Sequence, residues 1–181
     1  MAPIRKIAIT GPESTGKSWL ANGLAAHYQT VFVPEFARGY IEKLGRPYEY
    51  DDLMQISDGQ LSAEAEKEKV ANGLLFCDTE LIVIKIWSLH RYGKCHPFIL
   101  EQINKQRYDL FLLCDVDLPW QYDEQREHPH LRQYFFNWYQ KELDAYGFPY
   151  SIISGLGEDR LGSAVEAVEK MERWEDVKLR K

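Results

Sequence analysis

Short apolar runs alternate along this chain with longer stretches in which apolar residues recur every three or four positions. The first pattern predicts strands buried on both faces, the second amphipathic helices. Ile4 to Thr10 predicts a strand, followed by a helix from Gly16 to about Tyr28. Thr30 to Pro34 predicts a second strand, and Phe36 to Leu44 a helix stopped by Gly45. Asp51 or Asp52 can cap a long helix that runs to about Asn72. Leu74 to Asp78 is the third strand, and Thr79 to Tyr92 a helix ended by Gly93. Pro97 suits the first turn of a helix reaching about Arg107. Leu110 to Asp115 is the fourth strand, and a polar, aromatic-rich connection leads to a helix from Leu131 to Tyr146, closed by Gly147. "YSIIS" is the fifth strand, and the last helix runs from near Glu158 to about Trp174, with Leu161, Val165, Val168 and Met171 on one side.

Five apolar strands separated by helices predict an α/β fold with a parallel sheet covered on both faces. No repeat, low-complexity tract or linker divides the chain, so a single domain over residues 1–181 is expected. Ligands of such sheets gather beyond the carboxyl ends of the strands. Those ends are Gly11, Glu35, Asp78, Asp115 and Gly155. Three of the five are carboxylates, which apolar packing does not require.

The first strand end carries the most specific signal. Gly11-Pro12-Glu13-Ser14-Thr15-Gly16-Lys17-Ser18 matches G-x-x-x-x-G-K-[ST] in full and lies between a predicted strand and a predicted helix. Glycines let the backbone wrap closely and aim several N–H groups at phosphate oxygens. The helix N-terminus adds its positive end. Gly11, Glu13, Ser14, Thr15, Gly16, Lys17 and Ser18 are therefore the expected nucleotide-binding residues. Lys17 would reach the β- and γ-phosphates, and the Ser18 hydroxyl can bind Mg²⁺. Magnesium also takes one or two carboxylates, for which Asp78 is the first candidate and Asp115 the rival.

Several classes of phosphate-loop protein are disfavoured. A GTPase needs N-K-x-D, and Asn104-Lys105-Gln106-Arg107 has Arg in place of the Asp. D-x-x-G occurs at Asp144 and Asp159, too late in the chain for a switch, and the chain is too short for an AAA+ motor. Small phosphotransferases remain, and they require an acceptor pocket, a base and a cationic lid. The base candidate is Glu35 in "VPEFAR", with Arg38 one turn along; Asp78 is the other carboxylate that could serve. The lid candidate is Asp117 to Gln133, whose Arg126 and Arg132 could close over the transferring phosphate. Tyr40, Tyr48, Tyr50, Trp87 and Tyr92 flank the second and third strands and would suit a flat acceptor ring, a cationic one especially.

Composition narrows this further. The 181 residues carry a formal charge of −6 with 45% apolar residues, a globular balance that argues against sequence-independent nucleic-acid binding. No run of about 18 apolar residues is present, so no transmembrane helix is expected. Cys77, Cys95 and Cys114 form no CxxC pair, and the histidines lack zinc-type spacing. A reduced, cytoplasmic protein is expected. The sequence assigns no oligomeric state.

"GPESTGKS", "VPEFARGY", "DLMQISDGQ", "FCDTELIVIKIW" and "DLPWQYDEQRE", in that order, resemble the motifs of the ribosylnicotinamide kinase domain at the end of NadR proteins. The resemblance runs from Gly11 to about Arg132. The Pro-Glu of the second strand also resembles the deoxynucleoside kinases, in which that glutamate acts as base. The resemblance implies a three-layer P-loop NTPase fold of nucleoside-kinase type with strand order 2-3-1-4-5. It implies ATP and Mg²⁺ as donor, and phosphoryl transfer to the 5′-hydroxyl of a small-molecule nucleoside, nicotinamide riboside. Lys17, Glu35, Asp78, Arg126 and Arg132 would then be catalytic, with Glu35, Arg38, Tyr40, Asp78 and Trp87 toward the nucleoside and Ser18 and Asp78 toward the metal. The chain departs from the family where Asp78-Thr79-Glu80 is followed by Ile82-Val83-Ile84 instead of threonines. Nothing resembling the adenylyltransferase's paired-histidine motif is present, so repression and NAD synthesis proper are not expected to carry over. The acidic strand ends Glu35, Asp78 and Glu80 imply a preference for nicotinamide riboside over nicotinic acid riboside, provided that no cation lines the pocket. An ATP-binding regulatory switch without a small acceptor, and a deoxynucleoside kinase, are the alternatives.

Overall fold

In the computed structural model, which describes residues 3–105 and 108–179, the elements run in one continuous alternation. They are β1 (Arg5–Thr10), α1 (Lys17–His27), β2 (Val31–Val33), α2 (Phe36–Leu44), α3 (Asp52–Glu68), β3 (Leu74–Asp78), α4 (Leu81–Tyr92), α5 (Pro97–Lys105), β4 (Leu110–Cys114), α6 (Arg132–Tyr146), β5 (Tyr150–Ile153) and α7 (Gly157–Leu179). The strands pair in parallel in the order β2-β3-β1-β4-β5, as the resemblance implied.

Side chains alternate across a strand, so each central strand feeds two cores. Ile7 and Ile9 of β1 face one side with Phe76, Leu112 and Cys114, where Leu20, Leu24, Ala164 and Val168 from α1 and α7 cover them. Ala8 faces the other side with Leu75, Cys77, Phe111 and Leu113, beneath α2 to α6. Both faces are sealed, which is why β1, β3 and β4 read as continuous apolar runs rather than as alternating ones. The register sets Ile9 opposite Asp78, Thr10 opposite Leu113 and Val33 opposite Cys77. The carboxyl ends of β2, β3, β1 and β4 thus open on one edge of the sheet.

The boundaries differ from the expected ones in a few places. α3 ends at Glu68 rather than near Asn72, and α7 continues to Leu179. The expected end of α5 at Arg107 lies outside the described residues. The start of α4 is the informative shift: the helix begins at Leu81 because Thr79 has a left-handed φ of 75°. Glu80 caps it, its carboxylate accepting from the Ile82 N–H at 2.6 Å. No helix among the described residues is long and apolar enough to cross a membrane.

Candidate active site

The loop between β1 and α1 is shaped by glycines at positions that strain any other residue. Gly11 has φ +132°, and a Cβ there would lie 2.9 Å from the Cys114 carbonyl oxygen. Gly16 has φ +77°, and a Cβ there would meet Leu118 at 2.9 Å. The loop is further closed on itself, because the Thr15 hydroxyl and the Lys17 ammonium both donate to the Pro12 carbonyl at 2.8 Å. Gly11, Glu13, Ser14, Thr15, Gly16, Lys17 and Ser18 all line one cavity of about 640 Å³, a volume typical of small-molecule sites.

Glu35 enters the same cavity from the end of β2, and Arg38 joins it one turn along α2. Burial pushes the Glu35 carboxyl above its ordinary range; Lys17 and Arg38 draw it down, while Asp78 and Glu13 push it further up. Asp78 closes β3 and is 1% exposed. Burial raises it as well, against the pull of Lys17 and a hydrogen bond from Ser18. Its Oδ1 is a buried oxygen with no hydrogen-bond partner. The rival Asp115 is already engaged, since its Oδ1 accepts from the Val116 N–H and its Oδ2 from the Ser154 hydroxyl.

Away from the loop the wall is aromatic. Tyr48 and Trp87 line the cavity, with ring centroids 6.3 Å apart and planes 27° from parallel. Tyr50 and Tyr92 pack edge to face with each other, and Tyr92 supports the wall by donating to the Tyr48 carbonyl. Neither is a lining residue. Tyr40 departs from expectation too: its hydroxyl donates to Asp52, which Arg46 also binds, and the ring packs on Phe36. Asp52, held well below the usual carboxylate range at about 2 chiefly by Arg46, draws Tyr40 away from the cavity. Of the Ile82-Val83-Ile84 run, only Val83 reaches the cavity; its neighbours belong to the core.

The segment from Asp117 to Leu131 crosses the cavity mouth without a helix or strand. It is tied down from several directions. The backbone N–H groups of Glu127 and His128 donate to the Glu13 carboxylate, Gln121 N–H donates to the Ser14 hydroxyl, and Arg38 pairs with Asp123 at 2.9 Å. Arg126 lines the cavity and donates to the Gln121 carbonyl. Arg132 is instead lashed to the loop, donating to the carbonyls of Ser14 and Leu118 beside a small cleft of about 20 Å³. Of the two expected cations, Arg126 thus lines the cavity, whereas Arg132 is held by backbone carbonyls. The lining carries Lys17, Arg38, Arg91, Arg126 and Arg160 against Glu13, Glu35 and Glu127. A net positive wall in a net acidic chain suits a polyphosphate.

Gln60, Arg160 and Arg91 are among the residues of this region that the sequence did not single out. Gln60 is 1% exposed; its side-chain oxygen accepts the Phe36 N–H at 3.0 Å and its amide donates to the Thr79 carbonyl at 3.3 Å. It therefore joins the segment after Glu35 to the segment after Asp78. Arg160, also 1% exposed, donates to the carbonyls of Thr15, Asp115 and Gly155 and pairs with Asp117 at 2.7 Å. The signal available for both was a polar residue at a buried helical spacing: Gln60 with Leu53, Ile56 and Ser57, and Arg160 with Ala164 and Val168. Glu80, expected among the acidic strand ends, is fully buried as a cap and accepts from Thr10. In its place a cation is found in the lining, Arg91.

A family profile described as an AAA domain matches residues 6–160. The chain belongs to this family. The expectation against an AAA+ motor rests on length alone, and the match is to an AAA domain. This AAA-family chain is 33% identical over 121 residues to the trifunctional NAD biosynthesis/regulator protein NadR of Escherichia coli K12, a match covering 65% of the chain and 30% of the relative. The NadR of Salmonella typhimurium LT2 matches with the same identity and coverage. The matched region thus spans under a third of the length of these curated relatives. Among solved structures, a NadR protein in complex with NR superposes with a TM-score of 0.79 at 23% identity, covering 93% of this chain and 51% of that one. A NadR protein in complex with NAD and AMP-PNP gives 0.78 at 23% identity, covering 93% and 50%. Deoxyadenosine kinase from M. mycoides with bound dATP gives 0.56 at 14% identity, covering 91% and 99%. The fold is therefore that of phosphate-loop kinases.

Proposed function

We propose that this chain is an ATP-dependent kinase that phosphorylates the 5′-hydroxyl of a nucleoside, nicotinamide riboside being the acceptor with most support. The observation that carries the reading is one cavity with three kinds of wall: the phosphate loop, Glu35 facing it from β2, and the Tyr48–Trp87 pair beyond. The likeness to NadR, including a NadR structure in complex with NR, supports the choice of acceptor.

On this reading the loop N–H groups and Lys17 grip the β- and γ-phosphates of ATP, and Arg126 approaches them from the lid. Glu35 takes the proton of the acceptor hydroxyl. A carboxyl raised toward neutrality by burial is a better base than an ordinary one. Arg38 steadies Glu35 or the incoming phosphoryl group. The fit of Mg²⁺ rests on the donor set: a hydroxyl at Ser18 and, beside it, a buried Asp78 oxygen with no partner. Those two residues would hold the ion, which when bound offsets phosphate charge. Tyr48 and Trp87 offer flat faces to the acceptor ring.

The experiment is a panel of nucleosides incubated with the purified protein and ATP-Mg²⁺. Acceptor-dependent ADP release, fastest with nicotinamide riboside, is expected. Faster turnover of thymidine or deoxycytidine would move the chain to the deoxynucleoside kinases, and ATP hydrolysis indifferent to every acceptor would replace the kinase with a regulatory switch.

A further inference from the structure

The end of the cavity beyond the aromatic pair carries a charge arrangement that the transfer of phosphate does not require. Arg91 follows Trp87 by one turn of α4, so both project from one helical face. Its guanidinium lies 4.4 Å over the centroid of the Tyr48 ring. From the lid, both carboxylate oxygens of Glu127 reach the same Arg91 nitrogen, at 3.2 and 3.4 Å. Tyr48, Trp87, Arg91 and Glu127 all line the cavity.

We propose that Arg91 makes this pocket accept nucleosides whose ring bears a carboxylate, nicotinic acid riboside among them, and that the Glu127 carboxylate marks the position the substrate carboxylate would take. The inference rests on the nucleoside-kinase reading above and names the substrate class of that same site. Three physical points support it. First, an Arg–carboxylate pair is strongest when two nitrogens meet two oxygens in parallel. The Arg91–Glu127 pair uses one nitrogen, and its side chains are 36% and 46% exposed, so it is weak and exchangeable. Second, Arg91 stands at the aromatic wall itself, over Tyr48 and one turn from Trp87, so the exocyclic group of a ring resting on that wall falls within its reach. Third, a plain pyridinium amide sets an uncompensated positive charge near Arg91, whereas the acid carries its own negative charge there. The sequence-based preference for the amide depended on the absence of a cation, and Arg91 removes that condition.

The test is kcat/KM for nicotinic acid riboside and for nicotinamide riboside, with saturating ATP-Mg²⁺, in the parent and in Arg91→Leu, Arg91→Lys and Glu127→Gln. The acid-to-amide ratio is read within each preparation, so partial misfolding of a variant cancels. Both ribosides should turn over in the parent. The ratio should fall about tenfold in Arg91→Leu, the lower end of the range for a lost hydrogen bond to a charged group. It should fall less in Arg91→Lys, and it should rise in Glu127→Gln, which frees Arg91 from its competitor. A merely structural Arg91 would not move the ratio in opposite directions. Turnover of the amide alone, or a ratio indifferent to Arg91→Leu and Glu127→Gln, would overturn the inference and leave the kinase reading standing. Turnover of neither riboside would overturn both.

Discussion

Glu35, Asp78 and Glu80 lie at neighbouring strand ends, and burial raises all three carboxyls. Their surroundings separate their duties. Glu35 opens on the cavity, so Glu35→Gln keeps its shape and removes proton acceptance. Loss of a general base costs about 10² to 10⁴ in rate, and the loose transition state of phosphoryl transfer favours the lower end. Turnover should fall about 10²-fold with ATP affinity nearly kept, and the acid limb of the parent's kcat/KM profile should lie above the usual carboxylate range. If Glu35→Gln were nearly as fast as the parent and Asp78→Asn inactive, the two roles would be exchanged. Lys17→Ala should abolish turnover without changing the far-ultraviolet spectrum, because its ammonium donates to a loop carbonyl at the cavity and the core does not depend on it. Glu80 tests stability instead. Its carboxyl is pushed from 4.5 to about 7, first by burial, against the Ile82 and Thr10 hydrogen bonds. The folded chain therefore holds a proton that the unfolded chain has released between these values. That stabilisation is full below 4.5 and is lost as pH rises to about 7, a change of about 3 kcal/mol. Denaturant melts of Glu80→Gln across pH should lack this decline; a parallel decline in the variant would place its origin elsewhere.

Helix α3 packs against the segment after Glu35, the acceptor side on the kinase reading. At Gly59 a Cβ would lie 2.2 Å from the Phe36 ring. Gly→Ala inside a helix ordinarily stabilises by about 0.5–1 kcal/mol, but overpacking of this kind costs about 1–3 kcal/mol, so the clash wins. Gly59→Ala should melt earlier than the parent, and because Phe36 adjoins Glu35 it should also lose turnover. Gln60→Leu should strand the Phe36 N–H and the Thr79 carbonyl, each orphaned group costing about 1–3 kcal/mol. Its kcat should fall more than its ATP affinity, a split that uniform destabilisation would not produce. Elements such as α3 were legible as helices because Leu53, Ile56 and Gln60 recur at helical spacing. Their chemistry was less legible. Period alone does not say that a polar residue on the buried face bonds two loops remote in sequence, nor that Glu80 is spent as a helix cap while Asp78, equally buried, keeps an oxygen without a partner. Tyr40 shows the same limit, since its direction is settled by Asp52 twelve positions later.

Across the whole molecule, the alternating pattern led to the parallel sheet, and the phosphate loop was readable because its motif is local. The aromatic wall was only partly readable, since Tyr48 and Trp87 meet through folding of segments far apart. Burial also orders the thiols. Cys77 and Cys114 lie in the central strands and burial raises both, Cys114 to about 11, whereas Cys95 is partly exposed. A thiol reagent should modify Cys95 in the native protein and the other two only on global unfolding, as intact-mass measurements over time would record; rapid modification of all three would contradict a sealed sheet. The strand order has a wider consequence. With β1 at the centre, the loops after β2 and β3 fall on one flank, and those after β4 and β5 on the other. The loop after β4 nevertheless reaches across to the first flank, where Asp123 pairs with Arg38 and Glu127 with Arg91. On the kinase reading, descent with modification that redraws the acceptor side must therefore carry the β4 loop with it, while the turn after β1 can be inherited intact.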